Sequence, residues 1–409
     1  MPKSIWILNH YAVTPDMPGG SRHYDLGKEL VSKGYDVTIF ASSFHYSKHE
    51  ELKLSGKESF KVEYVNGVRF LWIKTMKYNG NNWRRIINML SYSFRSYFVG
   101  RKAKKLNITQ PDVIIGSSVH LFAVLSAYYL AKYHKARFLM EVRDLWPQTL
   151  VDMGALSEKS IFTKAMYALE KFLYKRAEKI ITLLPSASDY ITKLGVSDDK
   201  IVWIPNGVDL SKFNGDYKSK TKTDQKFRIL YLGAHGQANA LDVLIDAARN
   251  IQDDGYSEIQ FELVGDGAEK QRLIERAKQL DINNISFKNP IPKSDVPIYL
   301  TKFDAFLHIL LDAELFTKYG ISSNKIFDYL AAGKPIIMSC NPGNNIIDEA
   351  KCGILVPPND PQALANSVIK LYKMDTNERA IMGKNGRKYV EKYHDIKILA
   401  QKLIDNCLK

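Results

Sequence analysis

The sequence predicts an α/β fold of two domains, each a doubly wound parallel sheet, with a cleft between them. Two observations carry this. Short apolar runs alternate with amphipathic stretches from end to end, the pattern of successive strand–helix–strand units. The series also pauses at Pro205-Asn-Gly-Val-Asp209, passes through the polar stretch Ser211–Lys226, and restarts at Arg228. At 409 residues and 45% apolar, the chain holds core enough for two domains of about 200 residues.

In the first series, Ile5–Asn9 reads as a buried strand, Ser21–Lys33 as a helix stopped by Gly34, and Val37–Ala41 as the next strand. Val62–Val65 and Val68–Trp72 flank Asn66-Gly67, a hairpin signal. Strands follow at Val113–Gly116, Arg137–Val142, Ile180–Leu184 and Ile201–Ile204. The second series has strands at Arg228–Leu232, Ile259–Val264, Ile285–Lys288, Ala305–Ile309, Pro335–Met338 and Gly353–Val356. Its helices cover Leu241–Asn250, Glu269–Leu280 and Asn324–Ala332. Domains are therefore expected over residues 1–205 and 206–394, with Ser211–Lys226 as the linker and a helix over 395–409 packing back onto the first domain.

Composition narrows the class. Cys340, Cys352 and Cys407 lack metal or redox spacing, which fits a reducing, cytoplasmic setting. The N-terminal apolar stretch Ile5–Leu8 is too short for a signal peptide, and Leu121–Ala131 falls short of the ~20 residues of a spanning helix. The net charge of +14 is uneven: residues 1–190 hold 28 Lys+Arg against 16 Asp+Glu, whereas residues 191–409 hold 30 against 28. A basic first half points to an anionic partner: nucleic acid, membrane or a phosphorylated substrate.

The segment Gly320–Pro335 carries the most chemistry. Ser322 or Ser323 is a natural N-cap and Gly333 a left-handed stop. The helix between them opens with unpaired N–H groups and a positive dipole end, a seat for phosphate. Asn324 and Asp328 share one face, with the carboxylate about 5–6 Å further along, roughly the distance from a diphosphate to the ribose of the same nucleotide. The alternative is a solvated Asp328 and a simple cap.

Other positions are read in the same two ways. Pro18-Gly19-Gly20 precedes a helix and suits a phosphate loop or an ordinary turn. Gly233-Ala-His-Gly236 and Val264-Gly-Asp-Gly267 place small-residue turns at the carboxyl ends of two strands, the edge where such sheets bind ligands. His120 follows a first-domain strand, as a structural or a functional histidine. Glu141-Val-Arg-Asp-Leu-Trp-Pro147 is either an internal ion pair or a charge cluster facing the cleft. Trp83–Lys105 holds seven basic residues and no acidic one, interleaved with aromatic and aliphatic residues. It reads as a helix lying on an anionic membrane, or as one packed on the sheet with a basic solvated end. The chain has no DxD, HExxH, GxSxG or P-loop pattern.

Taken together, these segments resemble the retaining family 4 glycosyltransferases of the GT-B fold, two Rossmann-like domains. The marks are Gly19-Gly20, Pro205–Asp209, Val264–Gly267 with Glu269, and Asp328-Tyr-Leu-Ala-Ala-Gly-Lys-Pro335. Glu141–Pro147 and Ser323–Asp328 resemble the bacterial O-antigen and capsule subgroup that includes N-acetylfucosamine transferases. The resemblance implies a UDP-sugar in the second domain, an acceptor in the first, no metal and no cofactor, and retention of anomeric configuration. By position, Asp328 holds the ribose and the backbone of Ile321, Ser322 and Ser323, with Asn324, holds diphosphate or sugar. Ile291 meets the base, and Gly233, His235 and Gly265 line the donor site. Gly20 closes over the phosphates and His120 stands near the sugar.

Two departures from the family pattern stand out. Gly320 occupies the position of a usual glutamate, and Gly233–Ala240 lacks the family's Arg and Lys. Neutralisation of the diphosphate then falls to Lys325, Arg143 or His235. The implied reaction moves a sugar, of the N-acetylated deoxyhexose kind, to a polyprenyl-diphosphate-linked saccharide, with Trp83–Lys105 on the inner leaflet. The rival readings are a UDP-sugar epimerase, which needs no acceptor, and a nucleic-acid-binding protein, for which no motif speaks.

Overall fold

Ser4–Leu8 is buried at every position, as a strand covered on both faces must be. It pairs in parallel with Asp36–Ser42 on one side and Val113–Ser118 on the other, Ile5 lying opposite both Val37 and Val113. The computed structural model, which describes residues 3–80, 83–118, 120–214 and 226–409, builds a sheet of eight strands with this one inside it. Their order is Ile201–Trp203, Lys179–Thr182, Arg137–Val142, Val113–Ser118, Ser4–Leu8, Asp36–Ser42, Val68–Ile73, Phe60–Val65. All neighbours are parallel except the last pair, joined through Asn66 (φ 48°) and Gly67 (φ 82°). Two consecutive positive φ values turn the chain with the hand that suits a twisted hairpin.

The second sheet is parallel throughout: Ile285–Lys288, Ile259–Val264, Phe227–Leu232, Ala305–Ile309, Ile336–Ser339, Gly353–Val356. Helix Asp242–Asp253 buries Leu244, Ile245 and Ala248 against one face. Helix Asn324–Ala332 buries Ile326, Phe327 and Leu330 against the other. The expected strands are present within two residues of their bounds, and helix Leu241–Asn250 runs three residues further, to Asp253.

The chain divides into two units, residues 1–14, 20–205 and 396–409 in one, residues 15–19 and 206–395 in the other. The expected division at residue 205 therefore needs one correction. Pro15–Gly19 belongs to the second unit, because Lys293 N donates to Met17 O (3.2 Å) and Ser294 N to Pro15 O (3.0 Å). The C-terminal helix, Ile396–Leu403, lies in the first unit, with Lys33 donating to Gln401 at 3.0 Å. Most of the expected linker, Ser211–Lys226, lies outside the described residues.

Helix Trp83–Arg101 is turned in an unusual sense. It buries Asn88, Ser96 and Gly100 along with Met89 and Tyr92, while Trp83 and Phe94 are 64% and 66% exposed and Leu90 and Phe98 are also on the surface. Ser96 bonds Ser126 of helix Leu121–His134 at 3.1 Å, and Gly100 lies against Leu130, so the two helices touch through small residues. Among the described residues no helix is long and apolar enough to cross a membrane.

Glu170, inside the first unit, accepts hydrogen bonds from Tyr174 (3.0 Å) and Tyr190 (2.9 Å). Burial pushes its carboxyl up to about 8. The folded chain then holds a proton that the unfolded chain releases near pH 4.5, so this group's contribution to stability falls as pH rises from there to about 8. Glu170→Gln is expected to flatten that slope and stabilise the chain by about 2 kcal/mol at pH 8, read from urea unfolding between pH 5 and 9.

Candidate functional site

In an open parallel sheet, ligands bind where the strand order reverses, at the carboxyl ends of the two strands that flank the reversal. In the first unit these strands are Ser4–Leu8 and Val113–Ser118. His10 and His120 follow them, and His10 Nδ1 meets His120 Nε2 at 2.8 Å. Ala123 N donates to His120 Nδ1 at 3.2 Å, with His120 as the N-cap of Leu121–His134. Acceptance at Nδ1 puts the proton of a neutral ring on Nε2, from which it is donated to His10. Tyr11 and Tyr92 stack on His10, each 4.4 Å away. Burial, then the charge of Arg85, pushes His120 down to about 3. Burial, then His120 and Arg85, lowers His10. The pair is neutral, and both ring nitrogens of His120 are engaged.

Glu141 takes its internal ion-pair reading. It accepts from Arg22 Nε (2.9 Å), His23 Nε2 (2.6 Å) and Ser117 Oγ (2.7 Å), all buried. Burial opposes the carboxylate, but His23 and Arg22 outweigh it and hold Glu141 well below the usual range. Arg143, two residues further and just past the strand end, is only partly buried, and its amide donates to Ser118 Oγ at 3.2 Å. Gly20 precedes helix Arg22–Ser32, and Gly19 is counted with the second unit.

The second sheet reverses between Phe227–Leu232 and Ala305–Ile309. Here Lys325, in the first turn of helix Asn324–Ala332, reaches back to the end of the first strand. Its Nζ donates to Tyr231 Oη (2.9 Å) and Asn239 Oδ1 (3.0 Å) and lies 4.2 Å from the Tyr231 ring centre. A Cβ at Gly233 would stand 2.9 Å from that nitrogen, so the amine packs directly against the glycine. Gly265 is set against the Gly233 carbonyl. The lysine as a residue is partly exposed, yet its ammonium is enclosed, and burial brings it down to about 7.

His235 and His308 line this end of the sheet. Both are fully buried, and neither has a partner on either nitrogen among the described residues. Burial, then the charge of Lys270, pushes His235 down to about 4. Burial, then Lys325, lowers His308.

The start of helix Asn324–Ala332 differs from expectation at one residue. Ile321 N donates to Asn344 Oδ1 (2.7 Å) and Ile321 O accepts from Asn344 Nδ2 (3.0 Å). Its backbone is therefore committed, and Ile321 is not an anion donor in this conformation. Ser322 Oγ accepts from Asn206 N at 2.9 Å. Ser323 occupies the N-cap without a side-chain capping bond. The amides of Asn324 and Lys325 begin the helix and have no acceptor inside it. Gly320 takes φ 81°, a conformation that disfavours the glutamate usual at this position.

Asp328, one turn in, is buried and paired with the Lys293 amine. Lys293 was not legible in the sequence, since 35 residues separate the partners. Ile291, in the loop leading to Lys293, packs on the cluster containing Ile326 and Phe327.

The Lys325 amine carries a stability cost while it is charged. Its folded value near 7 lies below the ordinary 10.5, so the cost is full below pH 7 and fades as pH rises from there to about 10.5. Lys325→Met is expected to stabilise the chain by about 2 kcal/mol at pH 6.5, with the advantage vanishing near pH 10. Thermal unfolding at the two pH values checks this.

Residues 19–212 match the family described as Glycosyltransferase Family 4, and residues 214–389 the family described as Glycosyl transferases group 1. The chain is 22% identical over 287 residues to WcaI of Escherichia coli K12, whose name assigns it to colanic acid biosynthesis, covering 67% of this chain and 69% of that one. Two solved structures share the fold. Sucrose-phosphate synthase from Thermosynechococcus elongatus superposes with a TM-score of 0.75 at 18% identity, covering 98% of each chain. HepE of Anabaena, in complex with UDP and glucose, does so with a TM-score of 0.70 at 14% identity, covering 99% of each.

Proposed function

The chain belongs to the GT-B glycosyltransferases, family 4 in its first half and group 1 in its second, and from that premise we propose that it moves a sugar from a UDP-sugar to a lipid-linked saccharide with retention of configuration. The sugar is of the N-acetylated deoxyhexose kind, and the product enters a bacterial O-antigen or capsule. The observation that carries the reading is the Lys325 amine beside Gly233, next to two unused helix amides and one turn from Asp328. That geometry suits a nucleoside diphosphate. HepE, of the same fold, was crystallised with UDP and glucose.

In this reading the ammonium and the amides of Asn324 and Lys325 receive the diphosphate, with Ser322 and Ser323 at its edge. Asp328 turns from Lys293 to the ribose. His235, Gly233 and Gly265 bound the donor, and the Ile291 loop meets the uracil. The bond from the anomeric carbon to the β-phosphate oxygen breaks, and the charge that develops on that oxygen is stabilised by groups already in place. The acceptor hydroxyl bonds the same face of the sugar, and its proton passes to a phosphate oxygen, so no protein base is required. Positive charge comes from Lys325 in place of a metal ion. His120 and Arg143 stand at the carboxyl edge of the first sheet, in the unit that takes the acceptor. Trp83–Lys105 rests on the anionic cytoplasmic face of the inner membrane, its outward apolar side chains in the interface and its cations on the headgroups.

Asp328→Ala is expected to weaken UDP binding at least about tenfold in calorimetry; unchanged affinity removes the ribose assignment. UDP release from a panel of UDP-sugars should require a lipid-linked saccharide and survive EDTA. Turnover of the UDP-sugar alone would point to the epimerase. Neutralising Arg84, Arg85, Arg101 and Lys102 together should abolish pelleting with anionic vesicles while leaving UDP affinity unchanged.

A further inference from the structure

Helices Trp83–Arg101 and Leu121–His134 enclose a furrow of about 820 Å³, wholly within the first unit. Its walls are apolar: Leu90, Phe94 and Phe98 from one helix, Phe122, Leu125 and Tyr129 from the other. The Ser96–Ser126 bond and the Gly100–Leu130 contact hold the helices together beneath it. Had this helix faced the core, these aromatic groups would lie inside; instead Phe94 is 66% exposed and Tyr129 47%. Soluble chains seldom leave such a contiguous apolar surface uncovered.

Charge identifies what covers it. Arg84, Arg101, Lys102 and Lys104 on the same segment are exposed, and no acidic residue occurs between Trp83 and Lys105. Arg101 lies 4.7 Å from the Tyr133 ring centre and 5.7 Å from that of Tyr97, so cation and aromatic surface adjoin. A second copy of this chain would bring seven like charges to the contact. An anionic amphiphile brings the opposite charge and an apolar tail.

We infer that the furrow is a binding site for a single hydrocarbon chain whose phosphate-bearing head is held by the basic residues of this segment, of which Arg95 lines the furrow. This deepens the lipid-linked acceptor of the proposed function and rests on that reading for its biological ligand, though not for its test. It differs from adsorption of a helix on a bilayer, because one chain in a cavity of fixed size has a limiting length.

The test uses the full chain and soluble n-alkyl phosphates of six to about fourteen carbons, each below its micelle threshold, with inorganic phosphate as control. Affinity by calorimetry is expected to rise about fourfold per methylene and then level off once the furrow is full. Leu125→Trp, which fills the furrow, should flatten the series; Phe94→Asp, at an exposed wall position, should weaken every member if the first variant folds poorly. UDP titrations on the same samples keep the two proposals apart: intact UDP binding with a flat wild-type series overturns this inference alone. An unbroken rise with length, equal in wild type and Leu125→Trp, overturns it in favour of surface adsorption. A dimer at assay concentrations that Phe94→Asp dissolves overturns it in favour of a second copy.

Discussion

The second sheet places a buried ammonium at its strand reversal, and the site there depends on that one contact. Lys325 reaches the first strand beside Gly233, where its amine stands in the space a Cβ would approach, and Tyr231 and Asn239 accept its protons there. An enclosed cation with two neutral partners is under-compensated. It invites an anion, and it sits beside helix amides that invite one too. A site of this kind trades stability for readiness.

The two strand reversals are built to opposite electrical ends. In the first unit, His10 and His120 meet at the edge as a neutral, hydrogen-bonded pair wedged between tyrosines. The charge of Arg22 is spent on Glu141, to which His23 also donates. In the second, the cation is left unneutralised and two buried histidines keep their nitrogens unpartnered among the described residues. Ligand binding through neutral hydrogen bonds fits the first arrangement, and binding of a diphosphate fits the second. The proposed acceptor and donor roles follow this division.

Helix Trp83–Arg101 shows why a residue's kind does not settle its facing. Its polar and small residues, Asn88, Ser96 and Gly100, go inward because Thr75 accepts from Asn88 (2.9 Å), Ser126 meets Ser96 and Leu130 needs the space at Gly100. Tyr92 and Met89 go inward with them, whereas Trp83, Phe94 and Phe98 stay on the surface among basic residues. Burial is tolerated because the Asn88 amide nitrogen and the Ser96 hydroxyl each find a partner.

The sequence by itself determined the two-sheet architecture and the bounds of nearly every strand, because apolar period and turn chemistry are local properties. It also marked Asp328, Lys325 and the helix that carries them, since capping residues and an i, i+4 pair are read within one segment. Only the tertiary structure decided what those groups face. The Lys293 amine on Asp328, the Asn344 side chain that occupies Ile321, and the association of Pro15–Gly19 with the second unit join positions far apart in the chain. No period or spacing encodes such pairs; they arise when strands settle into an order and bring distant loops to one edge. Glu141 was legible as a charge, and became an ion pair only when the sheet set Arg22 and His23 against it.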